Sequence, residues 1–180
     1  VNSVAAIQQL ETLFAATPAN SPDRAKLMKR LGDEYVDLES ISFRRKIEGR
    51  AQADEQRRKK NAGAAESLLA EATKAEKIES AARQAAIKYY SLLKTQYPRW
   101  CQMPNAGDPA KSQGCGDELL YYLAYEYEQE KKPDQARKVY LELVQGWPAS
   151  RYVPSAYLAF GELFFEEAQG DPTRWSLAEQ

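Results

Sequence analysis

Residues that could carry out chemistry are few in this chain of 180 residues, and histidine is missing altogether. Without histidine, the chain lacks the commonest general base near neutral pH and the commonest metal-binding side chain. Its two cysteines, Cys101 and Cys115, cannot complete a tetrahedral zinc site by themselves. The sequence contains no phosphate-binding glycine loop and no calcium-loop pattern. It therefore predicts a protein with no metal site, no cofactor and no imidazole-dependent catalysis.

Carboxylates are numerous, since Asp and Glu together account for 26 residues. They fall at the spacing of solvated helix faces, with acidic and basic residues mixed. A glycan-processing enzyme would need a carboxylate pair acting as acid and base in a cleft, and no stretch outside the helical pattern offers one. We therefore expect a protein that is not an enzyme. A carboxylate-dependent glycan-processing activity is the less favoured alternative.

The two cysteines bracket the least helical stretch of the chain, which is rich in Pro, Gly, Asn and Ser and covers residues 99–116. A bridge between Cys101 and Cys115 would close a loop of about 15 residues and contribute about 3 kcal/mol. We predict this disulfide, because the pair is the chain's entire cysteine content. Two unpaired thiols in a cytosolic loop are the alternative. Because disulfides persist in oxidising compartments, the bridge indicates a periplasmic or exterior location.

A basic run stands out against a formal net charge of only -1. Between Arg44 and Lys60 there are eight basic and three acidic residues. This run ends in four consecutive cations, Arg57, Arg58, Lys59 and Lys60. It is either an ordinary solvated helix face or a contact for an acidic protein surface or anionic head groups. Nucleic acid is disfavoured as a partner because no aromatic residue is interleaved for base stacking.

The elements that must position these residues are helical, because the composition is rich in Ala, Glu, Gln, Lys and Leu. No apolar run is long enough to span a membrane. Over the 34 residues from Asp117 to Ser150, the pattern predicts two helices that begin with Asp117 as N-cap and are joined by a turn at Lys132-Pro133-Asp134. Their predicted core positions are Leu120, Leu123, Ala124 and Tyr127, then Ala136, Tyr140, Leu143 and the terminating Pro148.

This spacing resembles the tetratricopeptide repeat (TPR), which implies an all-α solenoid of helical hairpins with 117–150 as one complete repeat. Residues 1–18 resemble the second helix of a truncated repeat, and residues 151–180 resemble the start of a further one. Within the latter, Trp175 to Gln180 would open the second helix with Ala178 in the small position. We expect the protein to continue in both directions. The matching positions are Ala6, Leu10, Leu13 and Pro18, and Tyr157, Phe160, Gly161 and Phe164.

Residues 22–98 resemble one more repeat, with 42 residues in excess between its two halves. The excess predicts two long helices, about 23–60 and 64–97, that break at Asn61-Ala62-Gly63 and form a projecting antiparallel coiled-coil hairpin over about 36–85. The repeat positions are Met28, Leu31, Gly32 and Tyr35, then Ala86, Tyr90, Leu93 and Pro98. The expected seam of the hairpin contains Ile41, Phe43, Ile47, Leu68, Leu69, Ala72, Ala75, Ile78 and Ala82.

The resemblance also implies a concave groove lined by the first helix of each repeat. From Asp117 onward there are twelve acidic and six basic residues, so the groove suits a peptide segment with Lys or Arg beside apolar anchors. For the tyrosines, ordinary packing against the adjacent helix is the alternative. The groove residues implied are Tyr121, Tyr125, Glu128, Gln129, Leu158, Glu162, Phe165 and Glu166.

A looser similarity concerns the stretch from Trp147 to Tyr157, which reads WP-x-S-x-Y-x-P-x-A-Y. It resembles bacterial cell-envelope repeat proteins, including lipoproteins of outer-membrane assembly and periplasmic proteins of gliding motility. The resemblance implies a non-catalytic protein–protein interaction scaffold, periplasmic and associated with the outer membrane, whose partners are other proteins of an envelope complex. A module that binds membranes or nucleic acid through the basic run is the alternative.

Overall fold

A computed structural model describes residues 2–101, 103 and 114–170. Every regular element in these ranges is an α-helix, which confirms the predicted all-α class. The predicted helix at Trp175 to Gln180, Ala178 and most of the loop between the cysteines lie outside the described residues. The six helices are α1 (Asn2–Ala16), α2 (Asp23–Arg58), α3 (Ala62–Gln96), α4 (Gly116–Gln129), α5 (Pro133–Gly146) and α6 (Val153–Gly170).

The chain divides into two compact units, Val1–Tyr89 and Tyr90–Gln180. In the first unit, α1 packs through Ile7, Glu11 and Phe14, which recur at helical spacing. Glu11 accepts hydrogen bonds from the Tyr35 hydroxyl at 2.7 Å and the Tyr89 hydroxyl at 3.3 Å. Burial, followed by the charge of Glu11, raises the pKa of Tyr89 to about 12. The α1 helix is therefore held to its neighbours by a polar contact inside an aromatic cluster.

The predicted core register of α1 is wrong by one position. Leu13 was expected in the core but is 53% exposed, whereas Ile7 is buried. The reason is the aromatic cluster, because Phe14 packs edge-on against Tyr89 with ring centroids 5.6 Å apart. Large rings dominate the buried area at this contact, and they set the rotation of the helix.

Away from their contact with α1, α2 and α3 run antiparallel to each other. Their predicted seam is partly wrong, because Phe43, Ile47 and Ile78 are about half exposed. The contact between the helices uses small residues, and a β-carbon added at Gly49 would lie 3.2 Å from the Ala72 β-carbon. Close packing of small residues leaves no room for large ones between the helices, so those side chains lie at the flanks. The buried alanines are Ala53, Ala65, Ala72, Ala75 and Ala82.

A cluster of four buried, charged side chains lies beside this small-residue contact. The Lys46 amine lies 2.6 Å from the Glu79 carboxylate, and Arg83 lies 3.1 Å from Glu79 and 2.7 Å from Glu39. All four side chains are at most 15% exposed. Charges removed from water are costly unless they are paired. These contacts therefore specify which turns of α2 and α3 face each other.

Two helices end in the same way, at a lysine with a left-handed backbone. Lys60 has φ 59° and Lys131 has φ 57°. After α4, the amide of Lys132 donates to the Tyr127 carbonyl and that of Lys131 donates to the Glu128 carbonyl. The amides of Asn61 and Lys60 make the equivalent bonds after α2. Both ends are therefore Schellman motifs, the usual site of glycine.

These motifs correct two sequence expectations. The first turn lies at residues 59–61, so Gly63 is already in α3. The second lies at residues 130–132, and Pro133 is the first residue of α5. Proline suits that position because its fixed φ matches a helix and its missing amide hydrogen is not needed there.

We predict that Lys60→Gly and Lys131→Gly each stabilise the protein. Lysine pays a free-energy cost to adopt the left-handed conformation, and glycine does not. This cost exceeds the free energy that glycine loses through its greater entropy in the unfolded chain, so we expect a gain of about 0.5–1 kcal/mol per site. Urea unfolding followed by circular dichroism measures the gain. Lys59→Gly is the control, because Lys59 has φ -78° and glycine there should not stabilise. A loss of stability in both left-handed variants would contradict this explanation.

In the second unit, α4 and α5 bury most of the positions that the sequence predicts, whereas the predicted Tyr127 is only partly buried. Leu120, Leu123 and Ala124 are buried in α4, and Ala136, Tyr140 and Leu143 in α5. The equivalent positions of α3, fifty residues earlier, are also buried: Ala86, Tyr90 and Leu93. The helix ends match as well, since Tyr97 donates its amide hydrogen to the Leu93 carbonyl as Trp147 does to Leu143.

The predicted register of α6 is wrong by one position. The buried residues are Ala156, Ala159, Leu163 and Ala168, whereas Tyr157 is 60% exposed. Around Gly161, no described atom lies within 4 Å of an added β-carbon, so close packing does not require a small residue there. Small alanines let α6 approach α5, while Phe160 packs beside Tyr140 with ring centroids 6.2 Å apart.

The start of α4 is held by the predicted disulfide. Cys101 and Cys115 are bonded, with α-carbons 4.0 Å apart. Cys115, not the predicted Asp117, is the residue before the helix. Asp117 instead accepts a hydrogen bond from the Ser150 hydroxyl at 2.6 Å. At Gly116 an added β-carbon would lie 2.8 Å from the Trp147 ring, so glycine is needed for the indole to pack there.

Candidate functional site

A cleft of about 330 Å³ lies where the end of α4 faces α6. Four of the groove residues predicted from the sequence line it together: Glu128, Gln129, Glu162 and Glu166. The Schellman motif at Lys131 turns the chain here, so that the last turn of α4 borders the cleft and α5 starts beside it. The sequence analysis missed the remaining lining residues, which are Lys131, Pro133 and Leu163.

Glu128 is the cleft carboxylate most affected by its surroundings. It is half-buried, and its Oε1 atom is fully buried with no hydrogen-bond partner among the described residues. Burial raises the pKa of Glu128; its hydrogen bond with Tyr140 lowers it, and the charges of Glu162 and Glu166 raise it further. The net shift is upward. The ionised form of Glu128 is therefore disfavoured by its surroundings.

The donor to Glu128 is itself a core residue. Tyr140 is buried in α5, and its pKa is raised first by burial and then by its hydrogen bond to Glu128. Tyr140 therefore keeps its proton and donates a hydrogen bond to the carboxylate. This contact ties the cleft to the core of the second unit, because the buried ring of Tyr140 packs beside Tyr121 and Phe160, with ring centroids 6.2 Å apart in both cases.

We predict that Glu128→Gln stabilises the protein at neutral pH but not in acid. A carboxyl group whose pKa is raised by folding favours the fold when protonated, and this contribution is lost as the pH rises from the ordinary value of 4.5 through the folded value. Glutamine is uncharged and can still accept a hydrogen bond from Tyr140. The urea midpoint of the variant should exceed that of the wild type at about pH 7 and approach it near pH 4.

Glu66→Gln is the control for this measurement, because Glu66 is exposed on α3. It should shift the urea midpoint little at either pH. A Glu128→Gln variant less stable than the wild type at neutral pH would show that the carboxylate is not under strain, and the argument from burial and repulsion would be wrong.

The other predicted groove residues are not in this cleft. Tyr121 stacks on Tyr152 with ring centroids 4.8 Å apart, which is the packing alternative considered for the tyrosines. Tyr125 is partly exposed on α4. Leu158 and Phe165 are exposed on α6, one helical turn before Glu162 and directly before Glu166. They offer apolar contact area beside the carboxylates.

The predicted basic site at the α2–α3 turn is exposed but partly neutralised. Arg57 lies 3.4 Å from Asp54, and Lys59 lies 2.5 Å from Glu55. Two more cations of the basic run, Lys46 and Arg50, pair with Glu79 and Glu76 of α3. Within the described chain, Arg58 and Lys60 have no ion-pair partner. The run is therefore a weaker positive surface than its composition indicates.

Sequence reasoning missed the buried charges. Glu126 of α4 is 1% exposed, and Lys29, Glu39 and Glu79 are also buried. Helical spacing was the available signal for Glu126, which lies three residues after Leu123 on the buried face. Charge alone assigns such residues to the surface, because their partners are known only after the chain has folded.

The described helices include none that is long and apolar enough to cross a membrane. In the same ranges, no group of three or more acidic or cysteine side chains is arranged to hold a metal ion. Comparison with models of protein families, with curated proteins and with solved structures finds no match to this chain.

Proposed function

We propose that this protein is a non-catalytic interaction scaffold of the tetratricopeptide type, and that its α4–α6 cleft binds a cationic segment of a partner protein. The observation that carries the proposal is the cleft itself, in which Glu128, Glu162 and Glu166 converge. A lysine or arginine entering it would relieve the repulsion among three carboxylates. The binding energy would come from this relief and from exclusion of water around Glu128.

Repetition within the chain supports the repeat assignment. The end of α3 and the end of α5 bury equivalent positions and make equivalent backbone hydrogen bonds. Likewise, Met28 and Leu31 of α2 are buried as Leu120 and Leu123 of α4 are. Repeated helix pairs with the same buried positions are typical of helical-repeat scaffolds. The long α2 and α3 would then be the two helices of one repeat, extended into a projecting hairpin.

The disulfide supports a location in a bacterial cell envelope, because such bridges persist in oxidising compartments. In this proposal the protein is periplasmic, and its partners belong to an envelope complex. The glycan-processing alternative required two facing buried carboxylates. In the cleft, Glu128 is half-buried, but Glu162 and Glu166 are exposed. The cleft therefore suits recognition of a cation better than acid–base catalysis.

Exposed apolar side chains define the rest of the partner segment. Leu158 and Phe165 flank the carboxylates on α6 and are 65% and 48% exposed. A segment with arginine or lysine beside leucine-like residues would cover both the charges and the apolar surface. Recognition by a basic surface at the α2–α3 turn is less favoured, since half of the cations in that run are already ion-paired.

Binding of a defined probe tests this function. The probe is an acetylated and amidated peptide of about 12 residues in which arginine alternates with leucine, and the comparison peptide has glutamate in place of arginine. We expect the arginine peptide to bind with micromolar affinity by calorimetry, and more weakly as salt is raised from about 0.05 to 0.3 M. The glutamate peptide should not bind.

The double variant Glu162→Lys and Glu166→Lys should weaken binding by at least about tenfold, because it replaces attraction with repulsion at the cleft. Both residues are exposed, so the fold should tolerate the change. Glu66→Lys alters the charge of an exposed residue outside the cleft and should leave the affinity nearly unchanged. If the cleft variant and this control weaken binding equally, the peptide responds only to net charge, and the proposal is wrong.

A further inference from the structure

The three carboxylates of the α4–α6 cleft stand in different surroundings. Glu162 and Glu166 are exposed on α6, where water solvates their charges. Glu128 is half-buried at the end of α4, and its Oε1 atom is fully buried with no hydrogen-bond partner among the described residues. A buried carboxyl oxygen that lacks a donor is more stable as a neutral O–H group than as part of an anion. The geometry of the cleft therefore favours a proton on Glu128.

Groups on each helix around Glu128 act on this proton. From α5, Tyr140 donates a hydrogen bond that favours the ionised form, whereas from α6 the charges of Glu162 and Glu166 disfavour it. Lys131, in the turn after α4, lines the same cleft as an exposed cation. Burial has the largest effect, and the pKa of Glu128 is raised as a result.

The composition of the chain makes this carboxyl group unusual. Histidine, the side chain that ordinarily changes charge between about pH 5 and 8, is missing from the sequence. The two cysteines are joined in a disulfide and do not titrate. A side-chain response to pH in this range therefore requires a shifted pKa, and Glu128 places one inside the cleft.

We propose that the cleft binds its cationic segment in a pH-dependent manner, and that Glu128 releases a proton to the solvent as the segment binds. This inference rests on the proposed function of the cleft and adds its regulation. When Glu128 is protonated, two carboxylates remain to attract the cation. When it is ionised there are three, and the bound cation in turn stabilises the ionised form.

The direction of the effect follows from this linkage. The pKa of Glu128 in the unbound protein lies above its ordinary value of 4.5, and a bound cation lowers it. Between these two pKa values the unbound protein holds more protons than the complex. Affinity therefore rises with pH across this interval, and it falls as the pH drops towards 4.5.

Calorimetry with the arginine–leucine peptide tests the proposal at constant salt. The peptide is acetylated and amidated, so it has no group that titrates between about pH 5 and 7. We expect its affinity to be at least about threefold higher at pH 7 than at pH 5. Titrations at about pH 5.5 in two buffers with different ionisation enthalpies should also show that a fraction of a proton is released per peptide bound.

Glu128→Gln is the first variant, because glutamine resembles the protonated state. At pH 7 it should bind the peptide with about the affinity that the wild type has at pH 5, and it should lose most of the pH dependence. The variant keeps Glu126, Glu162 and Glu166, so any pH dependence caused by these residues would remain. Glu66→Gln is the control, because Glu66 is exposed on α3, and it should keep the pH dependence of the wild type.

Tyr140→Phe should move the transition in a defined direction. The variant keeps the buried ring but removes the hydrogen bond that favours ionised Glu128. The pKa of Glu128 should then rise further, so the midpoint of affinity against pH should move to higher pH. A change in packing alone would alter the affinity without this shift of the midpoint. A midpoint that stays in place or moves to lower pH would contradict the role given to Glu128.

The outcomes separate this inference from the function on which it rests. If the peptide does not bind at any pH, both are wrong. Equal affinity at pH 5 and pH 7, or a pH dependence that Glu128→Gln retains, would overturn the regulation and leave binding of a cationic segment standing. Circular dichroism at both pH values confirms that the wild type and the variants remain folded.

Discussion

Replacing Glu79 with alanine should destabilise the first unit by about 3–5 kcal/mol, the cost of breaking a buried ion pair by removing one partner. Glu79 is 7% exposed and lies between two cations, Lys46 at 2.6 Å and Arg83 at 3.1 Å. The variant would leave the Lys46 side chain, which is only 12% exposed, without this carboxylate. Arg83 would retain Glu39. Urea unfolding measures the loss.

Glu76→Ala provides a matched control in the same helix. Glu76 pairs with Arg50 at 3.0 Å, but both side chains are about half exposed. An exposed pair contributes at most about 1 kcal/mol, because water and salt screen it. If the two variants lose the same stability, burial does not govern these pairs, and the assigned role of Glu79 is wrong.

A double substitution separates the cost of an orphaned charge from the value of the pair. Lys46→Met together with Glu79→Leu removes both charges and keeps most of the side-chain volume. Buried pairs replaced by apolar residues are often neutral or stabilising. We therefore expect the double variant to recover most of the stability that Glu79→Ala loses. Recovery would indicate that these charges specify the pairing of α2 with α3 more than they stabilise it.

Breaking the disulfide should cost the second unit about 2–4 kcal/mol, since the bridge restricts a loop of about 15 residues in the unfolded chain. Cys115 is 3% exposed and directly precedes α4, where Trp147 packs on Gly116. The bridge therefore holds Cys101 against the start of a core helix. For a protein of this size, we expect the melting temperature to fall by about 5–10 °C on reduction.

Thiol titration and a cysteine-free variant complete this test. Native protein should contain no free thiol before reduction and two after reduction in denaturant. The double variant Cys101→Ser and Cys115→Ser should melt at the temperature of the reduced wild type and should not respond to reductant. Two titratable thiols in freshly isolated, unreduced protein would refute the bridge and remove the main support for a periplasmic location.

Patterns within single helices were readable from the sequence. The positions of all the long helices follow from apolar spacing and from proline after each repeat-like segment, at Pro18, Pro98 and Pro148. These signals are local, because a helix buries one face and proline disfavours its continuation. Turn positions were less readable. The left-handed residue at both Schellman motifs is lysine, where glycine is the usual signal.

The face that α1 and α6 bury depends on the helices that pack against them. In α1 and α6 several adjacent positions are apolar, so the sequence permits more than one buried face. Contact with Tyr89 selects Phe14 in α1, and close approach to α5 selects the alanines of α6. In each helix the buried face differs by one position from the predicted register, because the sequence of the helix does not specify the shape of the surface on which the helix packs.

For the candidate site, helical spacing gave the register of α4 and α6, and the resemblance to the tetratricopeptide repeat implied that Glu128, Gln129, Glu162 and Glu166 line a groove. Only the tertiary structure decided that these four share one cleft and that Tyr121 belongs to an aromatic cluster. It also decided that Lys46, Glu79 and Arg83 are buried together. Spacing along a helix is a local property, whereas burial and charge pairing depend on which helices meet.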